Sequence, residues 1–284
     1  MVPQAYDRSM SGTDDRPRFL RNIVLVATPL LAILFVAEIF FRGQTVPNSS
    51  NPGLTSFDPL TLGFVSVLIL GLLFYELNRH GERVARLLMA GITMSGTISF
   101  LILIQAWFTA TNTAFATFFL LVPPVAYVGL YYSFRDCMGS LSTRKAGIFR
   151  ALSATLLGAV LGAFLPAFFT IPFLILLSIL DLLLIESGML RRSVGLRAFD
   201  SLVSVTTLPL EGLDVGLGDL MAYSMLATMS ILFAGLLVAY LTIVLILTGV
   251  LLSFLIARSR GIVPGLSLPL WFGLLPSIVK LLIP

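Results

Sequence analysis

Two aspartates stand inside apolar stretches where a charge is hard to accommodate. Asp181 lies in Ile179-Leu180-Asp181-Leu182-Leu183-Leu184-Ile185, and Asp219 in Gly216-Leu217-Gly218-Asp219-Leu220-Met221-Ala222-Tyr223. Burying an unpaired carboxylate in an apolar medium costs several kcal/mol, so an acid in such a run points to function unless a partner explains it. Other acids near apolar runs have partners close in sequence. Glu38 has Arg42 at i+4, the spacing of an ion pair on one helix face, while Glu76 and Glu186 lie near Arg79 and near Arg191 and Arg192. Asp181 has no basic residue within two helical turns in the sequence, and Asp219 has no nearby base.

Depth decides whether the two carboxylates can meet. Asp181 precedes Arg191 by ten residues, which as helix sets it ~15 Å from a polar boundary. Asp219 follows Asp214 by five residues, ~7.5 Å as helix but up to ~17 Å as extended chain. Gly216 and Gly218 ease an extended or turned path and the close approach of a neighbouring helix. The pattern predicts a backbone that runs unwound into the apolar layer and starts its helix near Asp219. Unwound backbone is tolerated there only against protein or a wet cavity.

Two carboxylates sharing a site cannot both ionise easily, so such a pair holds one proton. The charged member can deprotonate a water while the neutral one donates to a carbonyl oxygen. On the residues alone, three readings stand side by side: a hydrolytic dyad, a cation or proton relay, or two separate polar packing residues.

The rest of the chain sets the surroundings of these groups. Of 284 residues, 57% are hydrophobic and 11% charged, too few charges to cover a soluble protein of this length, and the mean hydropathy is +1.00. Such a chain is a polytopic membrane protein. At ~20 residues per ~30 Å hydrocarbon core, nine helical spans are predicted, near residues 20–41, 60–77, 85–107, 114–134, 147–165, 168–187, 217–234, 236–257 and 263–282. The division at Gly235 follows from length, because 217–257 is about twice one bilayer.

With the N-terminus inside, sixteen of the 18 Lys and Arg residues fall on the cytoplasmic side and only Arg42 and Lys280 outside. That asymmetry predicts a cytoplasmic N-terminus and an external C-terminus. The expected organisation is a cytoplasmic tail (1–19), a scaffold of spans one to five (20–165) and a second part holding spans six to nine (166–284), with an inside loop at 188–215. The net charge of +4 is spread in short clusters between apolar runs, which suits an anionic lipid leaflet rather than nucleic acid. The one cysteine, Cys137, excludes an internal disulfide and a cysteine metal cluster, and His80 reads as a solvated loop residue. The segment 1–18 is too long and too mixed in charge for the n-region of a cleavable signal.

Several smaller features add detail. Gly158 and Gly162 have the small-xxx-small spacing of close helix packing. Pro123-Pro124 should kink the fourth span or free carbonyls within it. Residues 201–208, Ser-Leu-Val-Ser-Val-Thr-Thr-Leu, are β-branched and alternating, suited to an extended edge or an amphipathic linker. Asn48-Ser49-Ser50 is a glycosylation sequon on the expected outer side.

Three of these pieces, in order, resemble the presenilin and signal-peptide-peptidase family of intramembrane aspartyl proteases. Gly216-Leu217-Gly218-Asp219 matches the GxGD motif of the seventh span and is followed by Tyr223-Ser224; Asp181 stands where the sixth-span aspartate is found; Pro264-Gly265-Leu266 is similar to the Pro-Ala-Leu motif opening the ninth. The charge count agrees with the presenilin orientation, since signal peptide peptidases are inverted. The chain departs from the pattern at Leu180, where tyrosine is usual, and at Gly265, where alanine is. The similarity covers roughly the last third of the chain; the first five spans agree only in number.

The resemblance implies an enzyme with Asp181 and Asp219 as catalytic dyad. Gly216, Leu217, Gly218 and Tyr223 would support it, and Pro264, Gly265 and Leu266 would contact a substrate that is a transmembrane helix of another protein. No metal or cofactor is implied. Residues 201–208 and the Pro264 region become candidates to hold an unwound substrate strand. The competing expectations are a prepilin- or preflagellin-type peptidase, which shares GxGD but lacks the C-terminal proline motif, and an ion-coupled transporter or channel, for which the sparse polar residues are a poor lining.

Overall fold

In a computed structural model, the structure describes residues 75–76, 79, 84, 86–106, 108, 115–187, 207–210, 213–260 and 265–282. The expected spans 20–41 and most of 60–77 lie outside these residues, as do Asn48, His80, Pro264 and the 188–206 part of the inside loop. Seven helices are described: α1 (Arg86–Ala106), α2 (Phe115–Cys137), α3 (Thr143–Phe164), α4 (Ala167–Ser187), α5 (Leu217–Ala234), α6 (Leu236–Arg260) and α7 (Ser267–Leu282). Four stretches are long and apolar enough to cross a membrane: Arg86–Ala106, Lys145–Phe164, Leu217–Ala234 and Leu236–Ile256.

The breaks between helices have local causes. Leu165 is extended (φ −85°, ψ 131°), as a residue before proline must be, and Pro166 opens α4 by accepting the N–H groups of Phe169 and Thr170 at 2.9 and 3.0 Å. Gly235 separates α5 from α6 at φ 90°, a conformation open to glycine, while its N–H still reaches Ile231 O at 3.0 Å and its carbonyl accepts Ala239 N–H at 3.1 Å. The chain therefore reverses at one residue without leaving that donor or acceptor unpaired. Pro123 and Pro124 sit within α2, and α2 continues through them.

The described residues are mostly helical, as the all-α reading expects, and beside the helices stands one short two-stranded antiparallel hairpin, β1 (Thr207–Leu210) and β2 (Leu213–Gly216), with Thr207 opposite Gly216 and Leu210 opposite Leu213. The expected extended segment 201–208 overlaps β1 only at Thr207 and Leu208; residues 201–206 lie outside the described part. Two residues, Glu211 and Gly212, stand in the sequence between the paired leucines and lie outside the described part. Pro209 interrupts the β-branched alternation that would otherwise have marked β1.

The core is built around α5. Ala222 to Ser230 are all buried, so this helix is enclosed on every side. A Cβ on Gly158 or Gly162 would run into the backbone carbonyls of Met221 and Met225, so the small-residue stripe of α3 lies directly against α5. On the other side, Gly249 of α6 sits against Pro269 of α7, where a Cβ would come to 2.5 Å, and Gly273 of α7 lies against Ile246 and Leu226. At the end of α5 away from Asp219, Ser230 donates to Leu226 O (2.8 Å), meets Ser277 Oγ (3.0 Å) and accepts from Thr242 (3.3 Å), joining α5, α6 and α7 by buried hydroxyls. The opposite faces carry Phe168, Leu176, Leu237, Val244 and Leu282, all exposed. Apolar side chains both inside and outside are what a lipid-immersed bundle requires.

Candidate functional site

Asp181 projects from the later half of α4, six residues before its end at Ser187, and Asp219 from the first turn of α5. Gly216 ends β2 and is the N-cap of α5 at φ −65° and ψ 136°, so the backbone is extended up to Gly216 and helical from Leu217. Asp219 is thereby the third helical residue, and its carboxylate turns back onto the Gly216 backbone N–H. This is the acidic half of a capping box, and it sets a carboxylate at the positive end of the helix dipole. The helix start expected near Asp219 is observed two residues before it, and the extended approach takes the form of strand β2.

Both carboxylates converge on one dipeptide ahead of α7. The Leu266 N–H donates to Asp181 Oδ2 at 3.1 Å. A Cβ on Gly265 would stand 2.6 Å from Asp219 Oδ2, so that oxygen packs directly on the Gly265 backbone. Tyr223, one turn beyond Asp219 and 2% exposed, donates its hydroxyl to Gly265 O at 2.7 Å. Asp181 and Asp219 also interact electrostatically with each other and with Tyr223. The expected residues Asp181, Asp219, Gly216, Tyr223, Gly265 and Leu266 thus form one cluster. Pro264 lies outside the described residues.

Two expected members behave differently from the sequence reading. Leu217 is buried at 2% exposure and belongs to the core. Gly218 is exposed, and among the described residues nothing lies within 4 Å of a Cβ placed there, so no described helix packs on it. The close helix approach assigned to Gly216 and Gly218 is made instead by Gly158 and Gly162, because the helix packed along α5 is α3. At Gly216 the nearest neighbour of a Cβ is the Asp219 carboxylate itself, at 3.0 Å. Glycine there makes room for the acid, and Gly218 leaves open space beside it.

Sequence reasoning passed over two buried polar pairs. Ser178, one turn before Asp181, and Ser267, the first residue of α7, exchange hydrogen bonds with each other's main-chain carbonyls. Asp136 and Arg150 form a bidentate pair at 2.7 and 2.8 Å between α2 and α3. Serines give little signal in a sequence rich in small residues. Asp136 was hidden by its place beside the Arg135 boundary, and its partner is fourteen residues away.

Chemically, the cluster offers two carboxyl groups, a phenol, main-chain donors and open space at Gly218. The hydrogen bonds to the carboxyls come from main-chain N–H groups, and among the described residues no three His, Cys, Asp or Glu side chains gather as a metal site. Such an arrangement can share a proton and orient a water or carbonyl between two acids. Compared with protein-family models and with curated proteins, the chain matches none of them.

Proposed function

We propose that the protein is an intramembrane aspartic endopeptidase that cuts transmembrane helices of other proteins through an Asp181–Asp219 dyad. The observation that carries this reading is the convergence of both carboxylates, from separate helices, on the Gly265-Leu266 dipeptide, with Leu266 N–H on Asp181 at 3.1 Å. The likeness of Gly216–Asp219, Asp181 and Pro264–Leu266 to presenilin-type motifs supports the same reading. Separate polar packing does not call for two acids meeting at one dipeptide.

In the proposed reaction, the ionised carboxyl takes a proton from water as the water oxygen bonds to the scissile carbonyl carbon. The protonated carboxyl gives its proton to the carbonyl oxygen, forming a neutral gem-diol. Collapse returns a proton to the leaving nitrogen, breaks the C–N bond and leaves an amine, a carboxylic acid and a dyad that again holds one proton. The reaction needs no cofactor.

The finer topology belongs to the same proposal: nine spans, a cytoplasmic N-terminus, an external C-terminus and the 188–215 loop inside, in an integral multi-pass membrane protein. Reporter fusions after residues 80, 140 and 195 should read as inside, and one after residue 110 as outside; the reverse pattern would refute the orientation. The activity is tested by cleavage of a labelled single-span substrate in detergent by wild type, Asp181→Ala and Asp219→Ala. Cleavage by wild type alone is expected. Equal cleavage by all three would remove the dyad, and cation flux in liposomes that depends on both aspartates, without cleavage, would favour transport.

A further inference from the structure

Ser178 and Ser267 stand outside the motifs that suggested the dyad, yet they join the two helices that must register for it to form. Ser267 Oγ donates to Ser178 O at 3.0 Å, and Ser178 Oγ donates to Ser267 O at 3.5 Å. Both serines are buried, at 1% and 6% exposure. A buried serine within a helix commonly bonds back to its own i−4 carbonyl. Ser178, inside α4, instead turns its hydroxyl to α7, and Ser267, which opens α7, turns its hydroxyl to α4.

The consequence follows from helix geometry. Ser178 is three residues before Asp181, on the same face of α4 and one turn away. Ser267 follows directly on Leu266, whose N–H holds Asp181, and the Ser267 hydroxyl and backbone lie against the same carboxyl. A one-residue slip of α4 against α7 moves a side chain by ~1.5 Å and ~100°, which would carry Asp181 out of reach of a donor at 3.1 Å. Reciprocal bonds between two residues fix both axial register and rotation, which a single bond does not. In lipid, apolar side chains are satisfied in either register, so the choice falls to such polar contacts.

We propose that Ser178 and Ser267 are positioning residues for the reaction: a reciprocal hydroxyl–carbonyl clasp that holds Asp181 in register with the Gly265-Leu266 dipeptide. This rests on the proteolytic reading above, but its test has an arm that does not.

Ser267→Ala, Ser178→Ala and Ser267→Thr are compared with wild type for kcat and KM on a labelled transmembrane substrate. The Asp181 carboxyl and carboxylate stretching bands are followed by infrared spectroscopy, assigned by their loss in Asp181→Asn. The expected result is a kcat about tenfold lower or more in Ser267→Ala, with KM within about twofold, because ~1 Å of misplacement costs ~100-fold in rate. Ser178→Ala, which removes the longer bond, should lose about threefold. Ser267→Thr should recover most of the rate, and the Asp181 bands should move in both alanine variants and return with threonine.

Wild-type kcat and unshifted bands in well-folded alanine variants would overturn the proposal. If Ser267→Ala fails to fold, Ser178→Ala decides by the same criteria. If wild type cuts no substrate, the proteolytic reading fails, and the bands alone decide whether the clasp positions Asp181.

Discussion

Gly265→Ala offers a sharp test of the geometry, because it restores the residue that presenilin-type sequences carry and should nevertheless impair this protein. The new methyl carbon would lie 2.6 Å from Asp219 Oδ2, whereas ordinary contact begins at 3.4 Å, leaving about 0.8 Å to be relieved. Gly265 does not have a positive φ, so alanine meets no backbone penalty and the probe is purely steric. On its other flank Gly265 is held by the Tyr223 hydroxyl at 2.7 Å, so the carboxylate is the group that must move.

Turning Asp219 off its rotamer costs ~0.5–1.5 kcal/mol, and weakening its bond to the Gly216 N–H puts up to ~1.5–3 kcal/mol at risk. Displacement approaching ~1 Å at a reacting group lowers rates by up to ~100-fold. The expected loss in kcat is therefore between about tenfold and about 100-fold, equivalent to ~1.4–2.7 kcal/mol in the barrier. Weakening the Asp219–Gly216 bond should also lower the melting temperature, by roughly 2–4 °C for each kcal/mol lost. The assay is steady-state cleavage of a labelled transmembrane substrate in detergent, with thermal unfolding followed by intrinsic fluorescence. An unchanged kcat in Gly265→Ala would refute the contact between Asp219 and Gly265 as the determinant of dyad geometry.

Three further outcomes follow from the same contacts. Tyr223→Phe strips the Gly265 carbonyl of its donor in a buried setting and should cost ~1–3 kcal/mol of stability, read as a lower unfolding temperature. Arg150→Ala leaves Asp136, 3% exposed, without its bidentate partner; a loss of ~3–5 kcal/mol is expected, and adding Asp136→Asn should recover part of it in thermal scans. A dyad that works with one shared proton should give a bell-shaped pH profile of kcat/KM, and a profile that is flat from pH 4 to about pH 9 would contradict the acid–base scheme.

Much of the helical layout was legible in the sequence because charged and glycine-containing breaks bound long apolar runs. Residues 217–234 and 236–257 were expected as spans, and α5 and α6 occupy Leu217–Ala234 and Leu236–Arg260. The hairpin was less legible: Leu208-Pro209-Leu210 lacks alternation, and the extended segment expected at 201–208 overlaps β1 only at Thr207 and Leu208. The role of the glycines was misread for a related reason. A glycine's need for space depends on what packs there, and the sequence could not say that α3 meets α5 at Gly158 and Gly162 while Gly218 faces open space.

The sequence by itself determined the apolar runs, their breaks and the two acids inside them, because a low-charge chain of this hydropathy can form little else. It also pointed to an extended approach that turns helical close to Asp219, which the structure places at Gly216–Leu217. Only the tertiary structure decided that α5 is the enclosed helix and that Asp181, Asp219 and Tyr223 meet at Gly265-Leu266. Only there does the serine clasp appear across α4 and α7. The physical reason is that lipid-facing and protein-facing surfaces are both apolar, so the usual inside–outside pattern is silent about which helices touch. In such a bundle, small residues that permit close approach and a few buried hydrogen bonds select the arrangement, and their partners lie far apart in the chain.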